Sequence, residues 1–161
     1  MRIIDNFLSD YQFRQIQSII LGDHFSWYYN KHTVKPGDGN SMFTHTFYCV
    51  RPPWNGQCSA HYSIWNNCLH KLGCEELFRI KANLSKKTIF HRKCLYHIDQ
   101  FDCPNTALFY VNTNNGWTHV KGCGKVKSVA NRMVIFDSNL YHRGVTCTDE
   151  DVRVAVNFNY K

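Results

Sequence analysis

His97 and Asp99 flank Ile98 in the stretch LYHID. An extended chain alternates its side chains, so the imidazole and the carboxylate point one way while Ile98 points the other. Leu95, Tyr96 and Ile98 suit a buried strand, where an ionised carboxylate is costly unless something pairs with it. A third side chain of ligand type, His142, follows after 42 intervening residues in DSNLYHRG. Two imidazoles and one carboxylate on one face of an ion leave the opposite face open, an arrangement that suits non-haem Fe(II). After ten more residues comes Arg153. Its planar guanidinium can grip a carboxylate through two parallel hydrogen bonds. His-x-Asp alone is common by chance, and a polar strand face accounts for it. The whole set, His97, Asp99, His142 and Arg153, is far more specific.

These residues need strands to carry them. From Leu77 onward the segments FRIKANL, KCLYHID, TALFYVN, NRMVIFD and VRVAVNFNY are short and rich in Val, Ile, Phe and Tyr, with turn residues such as NTNNG at 112–116 between them. Several short strands at close spacing predict a sandwich or a barrel. In the last segment Arg153, Ala155, Asn157 and Asn159 share one face, and Val154, Val156, Phe158 and Tyr160 the other. In TALFYVN, Tyr110 and Asn112 share a face opposite Ala107, Phe109 and Val111. The polar faces either line a cavity or meet solvent. The N-terminal part reads differently, as a short strand from Met1 to Phe7 and then a helix. Ser9 and Gln12 form a capping box, Leu8 and Phe13 a hydrophobic staple, Phe13, Ile16 and Ile20 an apolar stripe, and Gly22 a stop. A second helix is expected from about Gln57 to Leu72, ending at Gly73, with the loop HTVKPGDGNSM between the two.

At 161 residues the chain is read as one domain, with helical support mainly over 9–73 and a β core over about 77–160. The formal charge of +7 admits nucleic acid as a partner, but Lys and Arg are scattered and a solvated basic surface is the plainer reading. The eight cysteines include no Cys-x-x-Cys pair and several lie in apolar surroundings, which favours buried thiols. The longest apolar run falls far short of a membrane span, and MRIIDNFLSD is not a secretory signal, so a soluble, cytoplasmic protein without membrane attachment is expected. His24, His32, His45, His61, His70, His91 and His119 have no ligand partner at useful spacing and are expected at surface or hydrogen-bonded positions.

Through RIKANL, YHID, TALFYVNTNNGWT, VANRMVIFDSNLYHRGV and RVAVNFNY, the chain resembles the 2-oxoglutarate/Fe(II)-dependent oxygenases of the prolyl-4-hydroxylase type, and most nearly the small phage and viral members. The resemblance implies a mainly β fold with flanking N-terminal helices, a double-stranded β-helix or cupin-like jelly-roll. It implies that His97, Asp99 and His142 are the iron ligands, that Arg153 binds the far carboxylate of 2-oxoglutarate, and that Tyr110 hydrogen-bonds the same carboxylate. No catalytic side chain is implied beyond the metal centre. Ser85 stands where relatives often have tyrosine, leaving Asn83 as an alternative cavity residue, and Asn-Gly-Trp-Thr ending at Thr118 replaces Gly-Gly-Glu-Thr. The implied cofactors are Fe(II), 2-oxoglutarate and O2, with ascorbate as a stimulant. Because Asp99 is present, the implied outcome is hydroxylation, which releases succinate and CO2. A peptidyl proline on a peptide or protein is the first substrate. Nucleobase oxidation of the alkylation-repair type ranks behind it, since Asn159 stands where those enzymes carry a second arginine. A non-catalytic cupin-like binding module is the third reading. A viral source would place the protein in the host cytoplasm.

Overall fold

The computed structural model describes residues 1–99 and 103–161. Helix α1 (Asp10–Ile20) starts as its sequence predicts: the Ser9 hydroxyl accepts from the Gln12 amide, the Gln12 side chain accepts from the Ser9 amide, and Ile16 and Ile20 are buried. The second helical region is shorter than expected. A 3-10 turn (Tyr62–Trp65) leads into α2 (Asn66–Leu72), closed by Gly73 in the left-handed conformation at φ 66°. Residues 57–61 are not helical because neighbouring backbone holds them: the short strand Gly56–Gln57 pairs with Tyr48 and Cys49, and the Cys58 amide donates to the Phe47 carbonyl. No helix is long and apolar enough to cross a membrane among the described residues.

Eleven strands form two sheets among the described residues. They are β1 (Arg2–Ile4), β2 (Tyr28–Asn30), β3 (Met42–Cys49), β4 (Gly56–Gln57), β5 (Leu77–Lys86), β6 (Asn105–Tyr110), β7 (Trp117–Val120), β8 (Gly124–Lys127), β9 (Arg132–Asp137), β10 (His142–Val145) and β11 (Val152–Tyr160). The larger sheet runs β1-β9-β6-β11-β5-β3-β2, with β4 paired to β3, and the smaller runs β10-β7-β8. Every pairing is antiparallel. The segment KCLYHID joins the edge of β10 only through isolated bridges, Lys93 to Val145 and His97 to His142, so it is an extended edge rather than a full strand. Leu95 is correspondingly exposed.

Alternation on β6 and β11 divides the interior in two. Ala107, Phe109, Val154, Val156 and Phe158 face the helices and pack with Phe7, Leu8, Ile16, Ile20, Trp65 and Cys68. The opposite faces meet the smaller sheet, where Leu108, Tyr110 and Ala155 pack with Val120, Val126, Val134 and Phe136. Two facing antiparallel sheets with helices outside one of them make a jelly-roll of the double-stranded β-helix type. None of the eight cysteines is paired in a disulfide. Burial pushes the Cys68 thiol up to about 12.

Trp65 is fully buried, and its ring meets Phe47, Phe109 and Phe158 edge-on at centroid distances of 5.3, 6.0 and 5.2 Å. It ties the helical layer to three strands. Trp65→Ala is therefore expected to lower unfolding free energy by about 3 to 5 kcal/mol. Urea denaturation followed by far-ultraviolet circular dichroism measures this; a loss under about 1 kcal/mol would show that the layers hold without it.

Candidate metal centre

The inner face of the larger sheet carries a polar ladder. On β11 it presents Arg153, Ala155, Asn157 and Asn159; opposite them on β5 stand Ser85, Asn83, Lys81 and Arg79. The ladder lines a cavity of about 830 Å³ whose other wall includes His142, Gly144 and Thr118 from β10 and β7. The cavity is of the size that holds small-molecule ligands.

Asp99 projects into this cavity and is 8% exposed. Arg79 Nη2 lies 2.8 Å from its Oδ1, while Asn159 Nδ2 donates to its Oδ2 at 3.0 Å and Asn157 Nδ2 at 3.3 Å. Burial pushes its pKa upward, but Arg79, His142, the Asn159 hydrogen bond and His97 together outweigh that, so the carboxyl sits well below the usual carboxylate range. Asp99 is thus an anion. A carboxylate offers about four lone-pair sites, so three donors leave room for a further cation.

The two histidines are prepared in the same way. His142 Nδ1 lies 3.2 Å from the Leu140 carbonyl oxygen, and His97 Nδ1 3.3 Å from that of Leu95. A carbonyl can only accept, so each Nδ1 carries a proton, and in the neutral ring Nε2 is then the atom with a free lone pair. His142 Nε2 is buried and has no hydrogen-bond partner. Burial lowers the His142 pKa, more than the nearby Asp99 raises it, which favours the neutral, ligating ring. The bridge between His97 and His142 sets the rings 4.5 Å apart, and one ligand atom from each of His97, Asp99 and His142 lies within 4.8 Å of the others. An orphaned buried nitrogen, a second imidazole lone pair and a carboxylate with room left are a donor set that fits a divalent non-haem iron.

Deeper in the cavity, Arg153 is 7% exposed. Its Nε donates to Ser128 Oγ and its Nη2 to Thr118 Oγ1, both at 2.9 Å. No carboxylate pairs with it among the described residues. A buried guanidinium held only by neutral hydroxyls favours an incoming anion. Its stem passes so close to the turn at Gly116 that a Cβ there would stand 2.7 Å from Arg153 Cδ, which only glycine allows. Tyr110 occupies a different place from the one its resemblance implied. It is fully buried and does not line the cavity; its hydroxyl donates to Thr118 Oγ1 at 2.8 Å. Thr118 therefore accepts from both Tyr110 and Arg153, and its own hydroxyl hydrogen is left to donate into the cavity.

The sequence reading thus found His97, Asp99, His142 and Arg153, which the fold gathers around one cavity. Arg79 and Lys81, which it did not single out, line the same cavity, as does Thr118. The period-two rule applied to VRVAVNFNY would have put Arg79 and Lys81 on one face of FRIKANL. Asn83 and Ser85 both line the cavity, and Asn83 Nδ2 donates to Asn157 Oδ1 at 3.2 Å. Trp54 also lines it and is half exposed. His45, His91 and His119 are satisfied elsewhere, His45 between the Ser26 carbonyl and Ser59, His91 at the Thr146 carbonyl and His119 at Tyr96.

No protein-family model matches the chain, and no curated protein does. Solved structures do. An oxidoreductase of the 2OG-Fe(II) oxygenase family from Burkholderia pseudomallei matches with a TM-score of 0.73 at 11% identity, over 99% of this chain and 84% of that one. The viral collagen prolyl hydroxylase of Paramecium bursaria Chlorella virus-1, in its 2OG complex, matches with 0.60 at 15% identity, over 98% and 93%. A prolyl hydroxylase from Trichoplax adhaerens, bound to a hypoxia inducible factor peptide fragment, matches with 0.61 at 16% identity, over 99% and 82%. The chain has the fold of the 2OG-Fe(II) oxygenases.

Two outcomes follow from the geometry. His142→Ala is expected to abolish Fe(II) binding, while His91→Ala and His119→Ala leave it intact, because the latter rings serve other partners. Equilibrium dialysis of the folded variants decides this, and an equal loss in His91→Ala or His119→Ala would reject the ligand set. Arg79→Met strips Asp99 of its buried ion-pair partner and is expected to cost the metal-free protein about 3 to 5 kcal/mol. Divalent ion should restore much of that by neutralising the same carboxylate. Thermal unfolding with and without Mn(II) tests this; an unchanged metal-induced rise in Tm would contradict it.

Proposed function

We propose that this protein is an Fe(II)- and 2-oxoglutarate-dependent dioxygenase that hydroxylates a C–H bond, with a peptidyl proline as its first substrate. The observation that carries the reading is a single cavity holding both the orphaned His142 Nε2, beside His97 and Asp99, and a buried Arg153 that no carboxylate among the described residues pairs with. The first group suits a divalent ion with an open face, the second the far carboxylate of a dicarboxylic acid. The peptide as substrate class draws on the neighbours that are prolyl hydroxylases, one of them bound to a peptide fragment.

Iron and 2-oxoglutarate would supply oxidation of a C–H bond by O2, coupled to decarboxylation of the co-substrate to succinate and CO2. The chain's part is placement. The Leu95 and Leu140 carbonyls fix the tautomers of His97 and His142, and Arg79, Asn157 and Asn159 fix the Asp99 carboxylate. Arg153 and the Thr118 hydroxyl orient the co-substrate's far end, with Tyr110 acting through Thr118. Val145, Leu108 and Ala155 line the cavity nearby and limit water there. Nucleobase oxidation is disfavoured by Asn159, whose amide is committed to Asp99 and Thr106. Lys121 and Lys125 lie over aromatic rings.

Anaerobic titration with Fe(II) and then 2-oxoglutarate should develop the weak visible charge-transfer band of a chelated complex, and succinate should form when O2 and a proline peptide are added. Absence of both the band and the succinate would reject the reading. Arg153→Ala should leave the metal in place but weaken 2-oxoglutarate by about 2 to 5 kcal/mol, tenfold in KM for each 1.4 kcal/mol, with only partial recovery in Arg153→Lys. An unchanged KM in Arg153→Ala would remove its role.

A further inference from the structure

We propose that Lys81 binds an anionic group of the primary substrate, and that the peptide oxidised here carries an acidic residue next to its target. The inference rests on the dioxygenase reading of the same cavity and names what its mouth selects.

Lys81 lies on β5 opposite Asn157 of β11 and Thr46 of β3, in line with Arg79 and Asn83 on the inner face. It is thus level with the holders of Asp99. Arg153 is paired with Ser85, four residues along the strand and about 13 Å away at ~3.3 Å per residue. A co-substrate anchored at Arg153 therefore does not account for Lys81. Burial and the neighbouring Arg79 push the lysine down to about 8 although Asp99 pulls the other way, so its ammonium is held at a cost. Among the described residues it makes no hydrogen bond and no ion pair. A largely enclosed ammonium without such a partner favours an incoming anion.

The charge of the whole cavity points the same way. Arg51, Arg79, Lys81 and Arg153 line it, against the single carboxylate of Asp99 among the described residues. A divalent metal and a dianionic co-substrate cancel each other, so together they leave Lys81 without a counter-charge. Arg79 is committed to Asp99, and Arg153 to Ser128 and Thr118. Lys81 lines the same cavity as Asn30, Asn40, Ser41 and Trp54, which add neutral polar and aromatic surface for an entering substrate. A peptide with a carboxylate beside the oxidised residue matches this lining. A neutral peptide leaves the half-buried lysine uncompensated, and a basic one repels it.

The test uses the full chain loaded with Mn(II) and 2-oxoglutarate, and calorimetry with four probes: proline peptides flanked by Asp, by Ala or by Lys, and a single-stranded oligonucleotide. The parent is expected to bind the Asp-flanked peptide about tenfold tighter than the Ala-flanked one, the size of a charge-assisted hydrogen bond. Lys81→Met should erase that preference with 2-oxoglutarate affinity unchanged, and Lys81→Glu should turn it toward the Lys-flanked peptide. Equal binding of the Asp and Ala peptides by the parent overturns the proposal, as does failure of every peptide to bind. Lys81→Met weakening 2-oxoglutarate instead of the peptide makes Lys81 a co-substrate residue and overturns it too. So does tight oligonucleotide binding that Lys81→Met abolishes, which assigns the anion to phosphate. Metal and 2-oxoglutarate binding are read in the same titration. Their absence removes the dioxygenase reading itself, whereas their presence without an acid preference removes only Lys81's role.

Discussion

The structure turns on one buried carboxylate. Asp99 is an anion inside a β fold, which is tolerable only because Arg79, Asn157 and Asn159 bring a charge and two amides to it from two adjacent strands. Those donors sit on β5 and β11, whose mutual register places Arg79 opposite Asn159 and Lys81 opposite Asn157. A one-residue slip between these strands would send every polar residue of one strand into the helix-packed core. The charge at Asp99 and the pairing of the two strands therefore depend on one another.

The same two strands separate stability from chemistry. Their outer faces, Ile80, Ala82, Val154, Val156 and Phe158, are apolar and covered by the helical layer and the segments leading into it through Phe7, Ile16, Trp65 and Cys68. Their inner faces are polar and line the cavity. Folding energy comes mostly from the outer layer. That leaves the inner layer free to hold arrangements that are individually unfavourable among the described residues: an unpaired His142 nitrogen, an Arg153 without a carboxylate and a Lys81 without an ion pair. Such groups destabilise a protein unless a bound partner satisfies them, and their collection in one cavity is the physical mark of a site.

Arg153 shows how far local chemistry and fold depend on each other. It sits on β11, but its guanidinium is held by Ser128 and by Thr118 of β7, and Thr118 is itself oriented by Tyr110 of β6. Gly116 leaves the space for its stem. Four segments, from both sheets and a turn, thus fix one cation.

Much of this was legible in the chain. The capping box of Ser9 and Gln12, the polar and apolar faces of VRVAVNFNY and the common direction of His97 and Asp99 depend only on local geometry, which spacing reports directly. His142 and Arg153 could be picked out because few residue types ligate a metal or grip a dicarboxylate. Other features depend on contacts between distant segments. The second helix lost its first turn because β3 claimed the backbone of Cys58, and KCLYHID became a bridged edge rather than a full strand because it meets β10 through isolated bridges at Lys93 and His97 rather than a continuous ladder. Tyr110 donates to Thr118 and does not line the cavity. The partnership of Arg79 with Asp99 spans a turn of the chain that no periodicity encodes. Local side-chain direction follows from the sequence because it is set by backbone geometry alone; which polar groups meet is decided by tertiary structure, since only the packed sheets determine where each charge finds its partner.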